Sequence, residues 1–266
     1  MIELEFIKHI VGELGRSYSA LGNSRWIETP EWRPTENQFR HGRLNDCLLI
    51  YLKGIRHTSL LNASIILLEA GQVHEMGILC RCMDESLEDM FLFSRNLGPD
   101  GKPTEAQERV FKEFFQEQFE ESSSPMLVVR KRDRVRREKV RAAIAGMPEN
   151  QVNPHDHAQM QGIIYDAFSG YVHGAYPHIM ELYGGNPSCF HTAGMRNTPR
   201  IAEWRNQLVS YVYRGVLGAW FVAKRLVEEA TAESIFTLRI EMERRYPQLA
   251  ADPNDLLKEM KKGSRK

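Results

Sequence analysis

A single glycine divides the longest helical pattern in this chain. Apolar residues recur at helical spacing from residue 43 to 70, the stretch "SIILLEAGQVHEMGILCRCMDESLEDMF" crosses Gly71, and the pattern resumes until "GPDGKP" breaks it. Together the two segments make a long helical hairpin. No run of period-two alternation bounded by hairpin turns competes with it. The expected class is therefore all-α, a single-domain multi-helix bundle built around that hairpin.

The remaining segments fit the same class. An amphipathic helix spans roughly residues 2 to 21, followed by "GNSRWIETPEWRPTENQF" as a loop that covers a groove. Thr104 and Gln107 form a capping box that opens a helix to about residue 121, and "SSSP" separates it from a helix over about 126 to 145. After "GMPENQVNP" a helix runs from about His155 to His173, with Gly174 at its C-terminus, and Pro177 restarts a short one. Thr198 as cap and Pro199 at the first helical position open an apolar helix to about Glu229, and Asp252 with Pro253 repeat the device before a last helix. One domain over 1–266 is the economical reading: an N-terminal helix and covering loop (1–42), a hairpin core (43–183) and C-terminal helices (184–266).

Composition narrows the function classes. The chain has 266 residues, 42% hydrophobic and 26% charged, enough to bury a full core. Its formal net charge is zero, so affinity for nucleic acid or an anionic surface must come from a local patch. Four cysteines, Cys47, Cys80, Cys82 and Cys189, lack zinc-hairpin spacing and fit a reducing cytoplasm. Glu3 and Glu5 stand where a secretory signal carries basic residues, so no export is implied. "LVSYVYRGVLGAWFVA", residues 208 to 223, is too short for a comfortable membrane span and contains Arg214; it reads as a buried helix, with no membrane partner. No cofactor fingerprint and no metal-ligand spacing stand out. "NPHDHAQ" offers His155, Asp156 and His157, but adjacent residues on a helical turn point apart.

Two charge features carry candidate chemistry. "RKRDRVRREKVR", residues 130 to 141, holds eight basic and two acidic residues without interleaved aromatics. It is either a phosphate-binding stripe or a solvated face neutralised by antiparallel packing on the acidic helix before it. On the second hairpin helix, Met76, Cys80, Met83, Leu87, Met90 and Ser94 define the buried stripe, and the other face carries His74, Arg81, Glu85 and Glu88. Arg81 and Glu85, one turn apart, are spaced to pair.

The helix ending at His173 has an apolar stripe through Met160, Ile163, Ile164, Ala167, Phe168 and Tyr171. Stepping back from His173 along the opposite face gives Ser169, Asp166, Gly162 and Gln159, a polar line except at Gly162. At a helix C-terminus the dipole favours the imidazolium, which suits a proton donor or an anion contact as well as a solvated terminal histidine. Ser169 lies one turn from His173, but no strand-turn-helix elbow makes it a hydrolase nucleophile. The candidate site residues are therefore His173, Arg81, Glu85, Ser169 and Asp166.

The hairpin pattern closing on Arg81 and Glu85, followed by "YDAFSGYVHG", resembles an uncharacterised bacterial helical family over roughly residues 43 to 183. More remotely it resembles the HEPN helical superfamily and the abortive-infection V proteins. That likeness implies a metal-independent ribonuclease or nucleotide-binding protein, working as a homodimer in a defence or stress role, with His173 as the carried-over residue. The superfamily's arginine, separated from the histidine by four to six residues, is replaced here by Asp166, Ala167 and Phe168. Arg81 is the residue that would substitute for it from the neighbouring helix. Two readings follow. In one, His173 is a general acid or base and Arg81 stabilises phosphate charge on RNA or a nucleotide. In the other, the chain is a non-enzymatic interaction or ligand-sensing protein and the Arg, Glu and His constellation fixes helix packing.

Overall fold

The computed structural model describes residues 4–35, 37–94, 102–116, 134–147, 153–184, 186–196 and 198–250. Among these it is an all-α bundle. The hairpin is α2 (Asp46–Ala70) and α3 (Val73–Ser94). Asn45 starts α2 by accepting the Leu48 N–H at 2.7 Å, and Gly71 ends it in the left-handed region, φ 80°. There the Gln72 N–H reaches back to the Leu67 carbonyl at 2.8 Å and satisfies an end group that the helix cannot.

The hairpin is wedged against α8 (Arg200–Arg225), and α2, α3 and α8 pack mutually. Helix α1 (Leu4–Leu21) lies against α2 and α8, and α9 (Glu229–Arg245) covers α8 and α1. Ile10, Leu14, Ile50, Leu61, Met83, Leu87, Tyr211 and Val212 are sealed at the centre, each such side chain contributing about 1.5–3 kcal/mol relative to exposure. One apolar cluster runs from Ile7 to Tyr246, so the core crosses both internal boundaries expected at 42 and 183.

The other side of α3 carries α5 (Arg137–Ala145) and α6 (Pro154–His173), with α4 (Glu105–Phe115) at the α2–α3 end. The expected capping box is present on α4: Gln107 N donates to Thr104 Oγ1 and Thr104 N to the Gln107 side chain. Gly174 closes α6 in the left-handed region, and α7 (Tyr176–Met180) follows. No helix among the described residues is long and apolar enough to cross a membrane.

Four expectations need correction. The loop after α1 contains a small antiparallel hairpin, β1 (Glu31–Arg33) with β2 (Gln38–Arg40), held by Trp32 against Phe39; β3 (Tyr183–Gly184) and β4 (Cys189–Phe190) form another. Thr198 does not cap α8; its hydroxyl donates to the Met195 carbonyl, and Pro199 occupies the cap position. The helix expected to reach residue 229 breaks after Arg225, where Val227 sits at φ 59°, and α9 begins. Met83 and Met90 are buried as expected, but Glu88 on the polar face opposite is buried too. Residues 117–121, the expected start of the basic helix and the helix after Pro253 lie outside the described residues.

Candidate functional site

The sequence "MDESLED" places Asp84, Glu85, Glu88 and Asp89 on neighbouring turns of α3, and three of the four carboxylates are buried: Asp84, Glu88 and Asp89. Carboxylates are buried at this depth only when cations meet them. Arg137 of α5 does most of this. Its Nε donates to Glu88 at 2.8 Å, Nη1 to Asp89 at 2.7 Å and Nη2 to the Glu85 carbonyl at 3.2 Å. Lys53 of α2 reaches the other Asp89 oxygen at 2.6 Å, and Arg141 stands 3.5 Å from Glu88. Burial holds Glu88 above the ordinary carboxylate range although Arg137 and Arg141 pull the other way. Burial also works against the Arg137 charge, but Asp89 and Glu88 prevail and its pKa rises.

Arg81 and Glu85 pair at 2.7 Å as their spacing suggested. The Arg81 guanidinium also lies over the Tyr165 ring of α6, 3.4 Å from its centroid, and Arg141 approaches the same ring at 4.4 Å. Next to this stack is a cavity of about 480 Å³ whose polar walls include Lys53, Arg81, Glu85, Arg134, Arg136 and Tyr165. An adjoining hollow of about 400 Å³ shares Arg134, Val135 and Arg136 and adds Arg109, Lys112 and Lys139. Its described lining residues include no carboxylate.

The basic run therefore divides. Arg137 and Arg141, one helical turn apart, turn inward to the acids of α3, whereas Arg134 and Arg136, ahead of the helix, stay exposed at the mouth of the cavity. Neither Arg134 nor Arg136 has an ion pair among the described residues. Among the described residues Glu113 of the acidic helix α4 accepts the Val135 N–H at 2.8 Å, and Arg137 and Arg141 of α5 pair with α3.

His173 lies elsewhere. Tyr165, under Arg81, precedes it by eight residues, about 12 Å along the helix axis. His173, Asp166 and Gln159 are exposed, Ser169 is half-buried, and no described side-chain hydrogen bond joins Ser169 to His173. The polar line of α6 is thus a solvent face within one chain. Ile163, at 50% exposure, and Ala167 also face outward, because the inward face runs through Tyr165 and Tyr171, which meet Arg81 and Gly77 of α3, and Phe168, which meets Trp204 and Tyr211 of α8. The structure unites Arg81 with Glu85 and leaves His173, Asp166 and Ser169 apart from them.

A second polar group was not anticipated at all. Asp84 accepts the Tyr211 hydroxyl at 2.9 Å and pairs with Arg214 at 2.8 Å, so Arg214 turns to α3. His57 of α2 is buried beside them, against Gly215. Its ring nitrogens lie near the backbone of Tyr211 and Met83 but make no hydrogen bond of normal geometry. Burial, with Arg214 nearby, pushes its pKa down to about 3. The signal in the sequence for the main network was the matched spacing: Glu85 and Asp89, Asp84 and Glu88, Arg137 and Arg141 each recur at four residues.

Among the described residues no three His, Cys, Asp or Glu side chains converge to hold a metal ion. Asn153 caps α6 by accepting the N–H groups of His155 and Asp156. Fold and site together define an all-α bundle with a buried carboxylate–guanidinium network opening onto a basic cavity. The chain matches no protein-family model, no curated protein and no solved structure.

Proposed function

We propose that the chain is a ligand-binding protein that takes the phosphate of a nucleotide or an RNA at the cavity between α3, α4 and α5. The observation carrying this reading is the division of the basic run: the inward arginines are neutralised, and Arg134 and Arg136 are left at the cavity mouth without a described partner. Exposed guanidiniums beside a hollow lined by Arg109, Lys112 and Lys139 concentrate positive potential in a chain of zero net charge. Arg81, fixed by Glu85 and Tyr165, forms part of the cavity wall, and the buried network holds α5 in place behind it. Four free cysteines suit a reducing cytoplasm.

Fluorescence anisotropy with labelled single-stranded RNA, and calorimetry with mononucleotides, test the proposal. Arg134→Glu with Arg136→Glu should strongly weaken binding, and in the corresponding single alanine variants the salt dependence should weaken by about one unit of logarithmic slope per phosphate contact removed. Binding unchanged in the double variant refutes it.

One observation favours a second reading. His173 stands at an exposed apolar patch of Val172, Tyr176 and Ile179. In the HEPN-like view, a second copy covers this patch and completes a ribonuclease site with His173, Asp166 and Ser169. RNA cleavage that disappears in His173→Ala, in a protein that sediments as a dimer, supports that view. Absence of cleavage, or cleavage that survives His173→Ala, removes it.

A further inference from the structure

A different hollow lies on the far part of α6, where it meets α7 and the start of α8. Helix α8 offers Arg200, Glu203, Trp204 and Gln207 to it, residues at the 0, 3, 4 and 7 spacing of a single helix face. On a helix docked for packing alone this stripe would be apolar. Here one buried tryptophan is surrounded by polar groups, and the helices leave a cavity of about 340 Å³, at the small end of the range of about 300–1,000 Å³ for ligand pockets.

Its apolar surface is aromatic. The Tyr171 and Trp204 rings lie 5.5 Å apart at 78°, and Phe168 stands 6.1 Å from Tyr171 and 6.3 Å from Trp204. His178 of α7 closes one side with its ring edge-on to Tyr171 at 4.4 Å and its Nε2 donating to the Ala167 carbonyl at 2.9 Å. Gly170 makes that approach possible, since a Cβ there would come within 2.0 Å of the His178 ring. The polar rim holds two carboxylates and one guanidinium. Glu181 accepts the Tyr171 hydroxyl at 2.6 Å, and Glu203 accepts Arg200 at 2.8 Å. One negative charge is left over beside three ring systems.

An anion would meet that surplus charge, and an uncharged apolar molecule would leave it uncompensated, since the group that donates to Glu181 is a neutral hydroxyl. A compact organic cation satisfies both the rings and the acids. We propose that this cavity binds a small aliphatic ammonium ion, its carbon chain against Phe168, Tyr171 and Trp204 and its ammonium group at Glu181 and Glu203. None of these residues belongs to the Arg81 cavity, so the two sites stand or fall separately.

Calorimetry and tryptophan fluorescence on the full chain, with 1,4-diaminobutane and tetramethylammonium as probes and butanoate as the charge-inverted control, provide the test. Saturable binding of at least one ammonium probe is expected, with butanoate much weaker. Glu203→Gln, at an exposed position, should weaken the ammonium probe about fivefold, as should Glu181→Gln. If Glu181→Gln fails to fold, Glu203→Gln decides alone, with its thermal midpoint as the control. No saturable binding at millimolar concentrations, equal or tighter binding of butanoate, or ammonium binding unchanged in Glu203→Gln overturns the proposal.

Discussion

Arg137→Ala removes the guanidinium that touches both Glu88 and Asp89. In the variant Asp89 retains Lys53 at 2.6 Å, but Glu88 retains only Arg141 at 3.5 Å among the described residues. Breaking a buried pair by deleting one partner costs about 3–5 kcal/mol, because the surviving charge stays buried. With Asp89 still paired, the lower end applies, about 3 kcal/mol, a large share of a total stability of about 5–15 kcal/mol. For a chain of this size that lowers the thermal midpoint by about 6–12 °C. The loss should also depend on pH. Glu88 already titrates above the ordinary carboxylate range, and losing its main cation raises its folded pKa further. The folded variant then binds a proton that the unfolded chain does not, so its stability falls as pH rises through that raised pKa and recovers in mild acid. Urea unfolding at about pH 8 and about pH 5 should therefore show a gap between wild type and variant that narrows at the lower pH. Arg137→Lys, which keeps the charge without the two-pronged geometry, should lose roughly half as much. A loss below about 1 kcal/mol, or a gap equal at both pH values, would show that the ion pairs behave as solvated surface pairs, and the account of α5 as an electrostatically seated helix would fail.

Other outcomes follow from single contacts. Native His57 titrates near 3, far below its reference of about 6.5. The unfolded chain takes up that proton first, so stability is full above about pH 6.5 and falls by about 1.4 kcal/mol per pH unit as pH drops toward 3; His57→Gln should remove that slope in urea titrations. Gly77 faces the Tyr171 ring, and a Cβ there would lie 2.4 Å from Tyr171 Cγ. Gly77→Ala should thus force α3 from α6 and lower stability by about 1–3 kcal/mol, measured by thermal unfolding. Thr104→Ala deletes one half of the α4 capping box and should cost about 1 kcal/mol by the same assay. Arg134→Ala, at an exposed residue with no described ion pair, should change stability by no more than about 0.5 kcal/mol while weakening phosphate binding.

The elements visible in the sequence were those marked by local chemistry. Gly71 ends α2, Gly174 ends α6, and Thr104 with Gln107 opens α4; each acts within one helical turn. Where no local signal exists the reading failed. The break after α8 passes through Val227 at φ 59°, a conformation that β-branched residues rarely adopt, so nothing at that position announces it. The burial of Glu88 and Asp89 carries no local mark either, because their partner, Arg137, arrives from 48 or more residues away. Charge alone cannot distinguish an acid facing water from one facing a distant arginine.

The candidate site turned on one helix boundary. A helix beginning near residue 126 would set Arg130, Arg134, Arg137 and Arg141 on one face, four or three residues apart, and all would turn together toward α3 or toward solvent. In the structure residues 134–136 are not helical, and Arg136 holds the N-terminal cap position in extended backbone with no side-chain cap. The helical phase starts only at Arg137. Arg137 and Arg141 share a face and are drawn to Glu88, while Arg134 is released from that face and left at the cavity mouth. The run thus splits into a neutralised inward face and exposed arginines at the cavity mouth. Shifting the start of one helix lets the same run of arginines supply both the seat that anchors α5 and the charge that makes the cavity basic.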